Sequence, residues 1–140
     1  MLTIPTQMSV DDREFVEQFE ACTLPSRLFH HRNHVRLAWL YLTEAPLLDA
    51  LVRFRTSLQR YAGSLDASAK YHETVTFAFL FLIHERMQRA HAATFDEFAE
   101  ANPDLFDNIL SRYYTPETLR SDLARRIFVM PDLINYEQFR

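Results

Sequence analysis

Two short segments of the chain carry four of its six histidines. Residues 29–36 read Phe-His-His-Arg-Asn-His-Val-Arg, and residues 70–74 read Lys-Tyr-His-Glu-Thr. Each segment stands where the apolar pattern predicts that a helix begins. Histidine is the commonest metal ligand and the usual general base near neutral pH. The two segments are therefore the best candidates for a functional site.

The spacing of these histidines favours a metal site. His31 and His34 are three residues apart, so they share one face of a helix. His72 would add a third imidazole if the two helix starts meet, and Glu73 would serve as a fourth ligand or as general base. Such a ligand set suits Fe, Zn, Mn or Cu, with one position open for water or substrate. In this hypothesis His31, His34 and His72 bind the metal, and His72 and Glu73 are catalytic.

A site without metal would use the same residues differently. His34 or His72 would act as base, with Glu73 orienting the imidazole. The guanidinium of Arg36 would bind a carboxylate or phosphate group of the substrate. Tyr71 would contact the substrate at the same helix entrance, together with Thr74.

A third polar and aromatic segment, residues 111–117, contains Tyr113 and Tyr114. These two tyrosines are predicted to close over the histidine pocket and to contact the substrate. The competing interpretation is a packed loop between two helices. In the same structural interpretation the histidines only cap and brace helix ends, and Arg36 forms a surface salt bridge. No role is assigned to His30, His84 or His91.

Composition limits the class of protein. The 140 residues suggest one domain, and the net charge of −4 gives no basic surface for nucleic acid. The only glycine, Gly63, excludes a glycine-rich phosphate loop. The only cysteine, Cys22, cannot form an internal disulfide, and its spacing from Phe15 and Phe19 predicts a buried thiol.

No signal peptide is recognised at the N-terminus, and the longest apolar run, residues 77–83, is too short to span a bilayer. These features favour a cytoplasmic protein without a membrane partner. The chain has twelve phenylalanines. If some of them are buried between subunits, the protein forms a homo-oligomer.

Prolines and capping residues divide the chain into predicted helices. Ser9 and the capping box of Thr94 and Glu97 mark two helix starts. Pro46 and Pro116 suit the first turns of two others. The predicted helices run over about 10–22, 33–43, 46–61, 69–91, 95–101, 105–113 and 116–128. The fourth is apolar nearly all round, which predicts a place in the middle of a bundle. The fold class is all-α, a single-domain bundle of about five to seven helices.

The motifs Phe-x-His-x-x-His-Val-Arg-x-Ala-Trp from Phe29 and Lys-Tyr-His-Glu-Thr from Lys70 occur together with a looser tyrosine and arginine segment from Tyr113. In this the chain resembles a family of small bacterial proteins of unassigned function, over about residues 29–132. The resemblance implies that the three segments form one pocket, and it implies no reaction.

Together these observations predict a small metal-dependent enzyme or metal-binding protein that acts on a small molecule. The alternative is a non-catalytic helical protein that binds a small ligand or partner and whose histidines are structural.

Overall fold

The computed structural model describes residues 9–133, and every regular element within them is helical. This confirms the predicted all-α bundle. Four short 3-10 turns connect the helices, at Ser26–Leu28, Ser68–Lys70, Pro103–Phe106 and Ile109–Arg112. The α-helices are α1 Val10–Glu20, α2 His31–Glu44, α3 Leu47–Ser64, α4 Glu73–Arg89, α5 Phe95–Ala101, α6 Pro116–Arg120 and α7 Asp122–Arg126.

The predicted capping residues do start their helices. The Ser9 hydroxyl accepts a hydrogen bond from the Asp12 amide at 3.1 Å. The Thr94 hydroxyl accepts one from the Glu97 amide at 3.2 Å, and the Glu97 carboxylate accepts one from the Ala93 amide at 2.9 Å. The capping box is confirmed, although the Glu97 carboxylate bonds to the amide of Ala93, the residue before the cap, rather than to the amide of Thr94. Each cap satisfies amides that the helix leaves without partners.

Two boundaries near the histidine segments differ from the prediction. Helix α2 begins at His31, two residues earlier than expected, while α4 begins only at Glu73. The residues just before α4 form a 3-10 turn instead, and Tyr71 and His72 are extended. Pro46 precedes the first residue of α3 rather than standing within its first turn.

The C-terminal part departs most from the prediction. The helix predicted over 105–113 is wrong, because Asn108 adopts a left-handed φ of 49° between two 3-10 turns. The single last helix is also wrong, because Ser121 is extended and caps α7 through a hydrogen bond from the Ala124 amide. Leu123 and Ile127, expected on a buried face, are 50% and 47% exposed.

Helix α2 has more buried residues than α4, which the sequence places in the middle of the bundle. Helix α2 packs against both α3 and α4. Seven residues of α2 are buried, namely Val35, Leu37, Ala38, Trp39, Leu40, Tyr41 and Leu42. In α4, by contrast, Phe81 is 37% exposed. Over residues 9–133 no helix combines the length and hydropathy that a bilayer crossing requires.

Cys22 also departs from its predicted place. Helix α1 ends at Glu20, and Cys22 follows it in the left-handed region with φ 60°. Its side chain is half-buried rather than buried. Backbone amides after the helix turn back to the carbonyl of Gln18, which ends the helix in the usual way for a left-handed residue past its last turn.

Candidate functional site

A cavity of about 400 Å³ lies where α2, α3 and α4 meet near the start of α4. Both histidine segments reach it, since His34 comes from α2 and Tyr71 and His72 precede α4. The starts of the two helices therefore meet, as the sequence predicts. Five rings line this cavity: those of Phe29, His34, Tyr61, Tyr71 and His72.

A smaller chamber of about 70 Å³ adjoins the cavity. Four residues line both spaces: His34, Leu58, Val75 and Thr76. His31 lines only the smaller chamber, whose other walls are mainly apolar. We call the larger space the outer cavity and the smaller one the inner chamber. His34 is thus the histidine that faces both.

Burial keeps the His34 ring neutral. Loss of solvent is the main cause that lowers its pKa to about 4, and the neighbouring His31 acts in the same direction. An interaction with the Phe29 backbone raises the pKa but does not offset these effects. The Phe29 ring lies against the imidazole, with 3.7 Å between the ring centroids. A neutral imidazole has one donor and one acceptor nitrogen, so His34 can hydrogen-bond a ligand without adding charge.

His72 is held by two structural hydrogen bonds. Its Nδ1 accepts the Val75 amide at 3.1 Å and so caps α4. Its Nε2 lies 2.7 Å from the Leu119 carbonyl oxygen. A nitrogen that accepts carries no proton, and a carbonyl only accepts, so the proton is on Nε2. Both ring nitrogens are therefore engaged, and neither is left for a metal.

Glu73 is likewise engaged within the fold. Arg55 donates to both carboxylate oxygens, at 2.7 and 3.0 Å, and the Tyr71 hydroxyl donates to one of them at 2.6 Å. Burial opposes ionisation of Glu73, yet the hydrogen bonds from Arg55 and Tyr71 hold its pKa below the usual value. Burial also raises the pKa of Tyr71. Glu73 is thus an ionised member of a salt bridge rather than a general base.

His31 braces a different part of the chain. Its Nε2 lies 3.0 Å from the Leu105 carbonyl oxygen and donates to it. Its ring meets Phe79 edge-on, with centroids 5.1 Å apart. Among residues 9–133 no three His, Cys, Asp or Glu side chains form a group that could hold a metal ion. The set of His31, His34 and His72 does not converge as a ligand set, so the metal stays a prediction without support from this geometry.

The remaining predicted site residues lie away from the cavity. Arg36 forms a salt bridge with Asp12 of α1, and its guanidinium stacks over Phe15 at 4.3 Å. Tyr114 is buried and donates to the Val129 carbonyl at 2.7 Å. Tyr113 is half-buried and, like Tyr114, is not part of the cavity wall. The third segment therefore does not close over the histidines.

Two residues that line the outer cavity were not singled out from the sequence, and Thr74 lies elsewhere than expected. Leu58 and Tyr61 of α3 line the outer cavity, but their helical spacing indicates only a core stripe.

Thr74 is fully buried rather than at the entrance. Its hydroxyl donates to the Ile127 carbonyl at 2.8 Å and accepts the Val129 amide at 3.0 Å. No local signal in the sequence marks these long-range contacts.

Comparison with known proteins gives no further guide to this site. The chain matches no protein-family model, no curated protein and no solved structure. The resemblance to a bacterial family therefore stays a prediction.

Proposed function

We propose that this protein binds a small organic molecule in the outer cavity, without a metal. The observation that carries the proposal is a space of about 400 Å³ lined by five rings, among which His34 is held neutral. Small-molecule sites are typically concave, mostly apolar and of a few hundred Å³, with a few polar groups that fix orientation. A dry cavity of about 150 Å³ suffices for benzene, so the outer cavity accommodates a ligand with two fused rings.

The polar groups around the cavity support binding over catalysis. His72 and Glu73 are the predicted catalytic pair, but their polar atoms are already bonded. The His72 nitrogens cap α4 and bond to the Leu119 carbonyl. The Glu73 oxygens accept from Arg55. Removing them from these bonds would leave a carbonyl, an amide and a guanidinium without partners, which is costly. His72 of the second segment therefore shapes the wall, and His34 offers the ligand a hydrogen bond. This agrees with the structural alternative for the histidines.

The test uses 2-naphthamide, an uncharged molecule with two fused rings, and follows backbone amide signals by NMR. We expect saturable shifts confined to the cavity walls, around His34, Leu58 and Val75. Val75→Phe places a larger side chain between the two spaces and should abolish the shifts. Leu48→Phe, at a site that is 71% exposed on α3, is the matched control and should bind normally. Saturable shifts elsewhere, or unchanged binding in a folded Val75→Phe variant, would overturn the proposal.

A metal-dependent function is the second candidate, and one observation favours it. His31 and His34 line the same inner chamber, and the neutral form of His34 is the form that binds metal ions. Two histidines leave positions for water or substrate, as catalytic sites require. The chemistry would then be that of a bound Fe, Zn, Mn or Cu ion.

Metal analysis separates the two candidates. Protein without a histidine tag would be reconstituted with Fe(II), Zn(II), Mn(II) or Cu(II), freed of excess metal and assayed for bound metal. Near-stoichiometric metal that His34→Ala removes and His91→Ala retains would favour the second candidate. Binding that also disappears in His72→Ala would restore the three-histidine hypothesis. Absence of bound metal in the folded wild-type protein would exclude both metal hypotheses and leave the binding function.

A further inference from the structure

We infer that the ligand of the outer cavity is a small apolar monoanion, such as an aromatic or aliphatic carboxylate, whose charged end lies at Lys70 and whose apolar end points to the inner chamber. The inference rests on the proposed function, because it names the chemical class of the molecule that this cavity takes. Three features of the cavity carry it.

The first feature is the charge of the cavity wall. The chain has 19 acidic and 15 basic residues, yet within residues 9–133 no Asp or Glu lines the outer cavity. Lys70, the only lysine in the sequence, is the one formally charged side chain that the described residues contribute to the wall, and it is exposed at the rim. It makes no salt bridge with any residue from 9 to 133. A positive rim on an acidic protein selects for an anion, because the rest of the surface repels it.

The second feature is the state of the acidic groups nearby. Glu73 follows the wall residue His72, but its charge is neutralised by the two bonds from Arg55. Asp66 lies between two wall residues and is itself exposed outside the wall. Arg125 of α7 donates to the Ala69 carbonyl at 3.0 Å, which brings a second cation to the segment that carries Lys70. The groups around the rim therefore do not cancel its positive charge.

The third feature is the mainly apolar lining of the space beyond the rim. Ser26 and Lys70 are exposed at the rim, whereas Leu58 and Val75 separate the outer cavity from the inner chamber. Beyond them the chamber is walled mainly by apolar side chains such as Phe54 and Leu80, together with His31 and His34. Among residues 9–133 no Lys or Arg lines this chamber, so no permanent cation there balances a second negative charge. The cavity therefore suits a ligand with one negative charge, placed at the rim, and an apolar body that lies against the inner walls.

The test compares three probes with the same ring system: 2-naphthoate, 2-naphthamide and 2-naphthylmethylamine. We expect the carboxylate to bind about fivefold more tightly than the amide, the gain from one ion pair in nearly aqueous surroundings. The ammonium compound should bind most weakly. Raising the salt from about 20 mM to about 500 mM should remove most of the preference, because an exposed ion pair is screened.

Two variants assign the preference to Lys70. Lys70→Met should bring the carboxylate and the amide to equal affinity while leaving amide binding unchanged. Arg53→Met removes a positive charge from an exposed residue that lines a different groove and should keep the preference. Equal affinities of the three probes for the wild-type protein, or a preference that survives Lys70→Met, would overturn the inference and leave the binding function standing. Failure of all three probes to bind at this cavity would overturn both.

Discussion

Both histidine segments contribute an imidazole to the wall of the outer cavity, but the fold uses His34 and His72 differently. In residues 70–74 the side chains of His72, Glu73 and Thr74 are bonded to distant parts of the protein, and the Tyr71 hydroxyl donates to Glu73 within the segment. In the first segment His34 instead faces two adjoining spaces, with burial that holds its pKa at about 4. Residues 71–74 build and brace the wall of the cavity, whereas His34 and, at the rim, Lys70 present groups to whatever the cavity contains.

This difference shows why residue type alone does not identify a ligand-binding residue. A histidine whose two nitrogens are satisfied within the fold contributes to stability, whereas one that is half-buried and faces a cavity is left to meet a ligand. The contrast predicts that substitutions of His72 and Thr74 lower stability, while substitution of His34 changes binding and the pH dependence of stability. Four measurements examine it.

The largest effect is expected from Thr74→Val. Valine has nearly the shape of threonine, but it leaves the part-buried Ile127 carbonyl and Val129 amide without their partner on the fully buried Thr74. We expect a loss of about 4 kcal/mol in the free energy of unfolding, since each orphaned buried group costs about 1–3 kcal/mol. Thr56→Val is the control, because the exposed Thr56 hydroxyl bonds only to its own helix. Urea unfolding measures both, and similar losses in the two variants would contradict a bracing role for Thr74.

A somewhat smaller loss is expected at His72. His72→Ala removes both the cap on α4 and the bond to the Leu119 carbonyl, for a loss of about 3 kcal/mol in unfolding free energy. His72→Asn keeps a side chain that can cap the helix and should lose only about 2 kcal/mol. The same urea experiment distinguishes them. Losses below about 0.5 kcal/mol in both would show that His72 is not a structural residue.

The next effect is on the pH dependence of stability at His34. The unfolded chain protonates this histidine near pH 6.5, whereas the folded protein does so only near pH 4. The folded pKa is the lower one, so stability is complete above pH 6.5 and is lost as the pH falls toward 4. At pH 5 this contributes a loss of about 2 kcal/mol. His34→Gln should remove this contribution, as urea unfolding at pH 7.5 and pH 5 would show, while His91→Gln should retain it. An unchanged slope in His34→Gln would mean that the ring is not buried in solution.

The smallest effect is expected from the exposed His91. His91→Ala should change the free energy of unfolding by less than about 0.5 kcal/mol, as surface substitutions usually do. It should also leave the binding of 2-naphthoate unchanged, since His91 lines a different groove. Thermal unfolding and a single titration suffice for this comparison. A large effect of either kind would place a functional group outside the outer cavity.

Prediction from sequence was most accurate where the deciding interactions are local. Ser9 and Thr94 cap their helices through bonds to residues three positions ahead, and that spacing is visible in the sequence. It failed at Asn108 and Ser121, where a single backbone conformation breaks a helix that the apolar pattern would continue. Neither residue type forbids a helix, so propensity could not locate the breaks.

The site was predicted only in part. The meeting of the two histidine segments follows from the order of the helices, and it is the part that the sequence anticipated. The separation of Arg36 from the cavity, by its salt bridge with Asp12, depends on how α1 lies on α2. The placing of Tyr114 depends on the path of the chain back to Val129.

The sequence by itself determined the helical class, the main capping sites and the two segments that border the cavity, because these depend on side-chain chemistry at short spacing. The tertiary structure alone decided which histidine is hydrogen-bonded within the fold and which faces the outer cavity. His72 finds its second partner 47 residues away, at the Leu119 carbonyl. His34 loses its solvent through packing of Phe29 and of helices from distant parts of the chain. Burial and long-range hydrogen bonding are properties of the assembled bundle, and they set the chemistry of otherwise identical side chains.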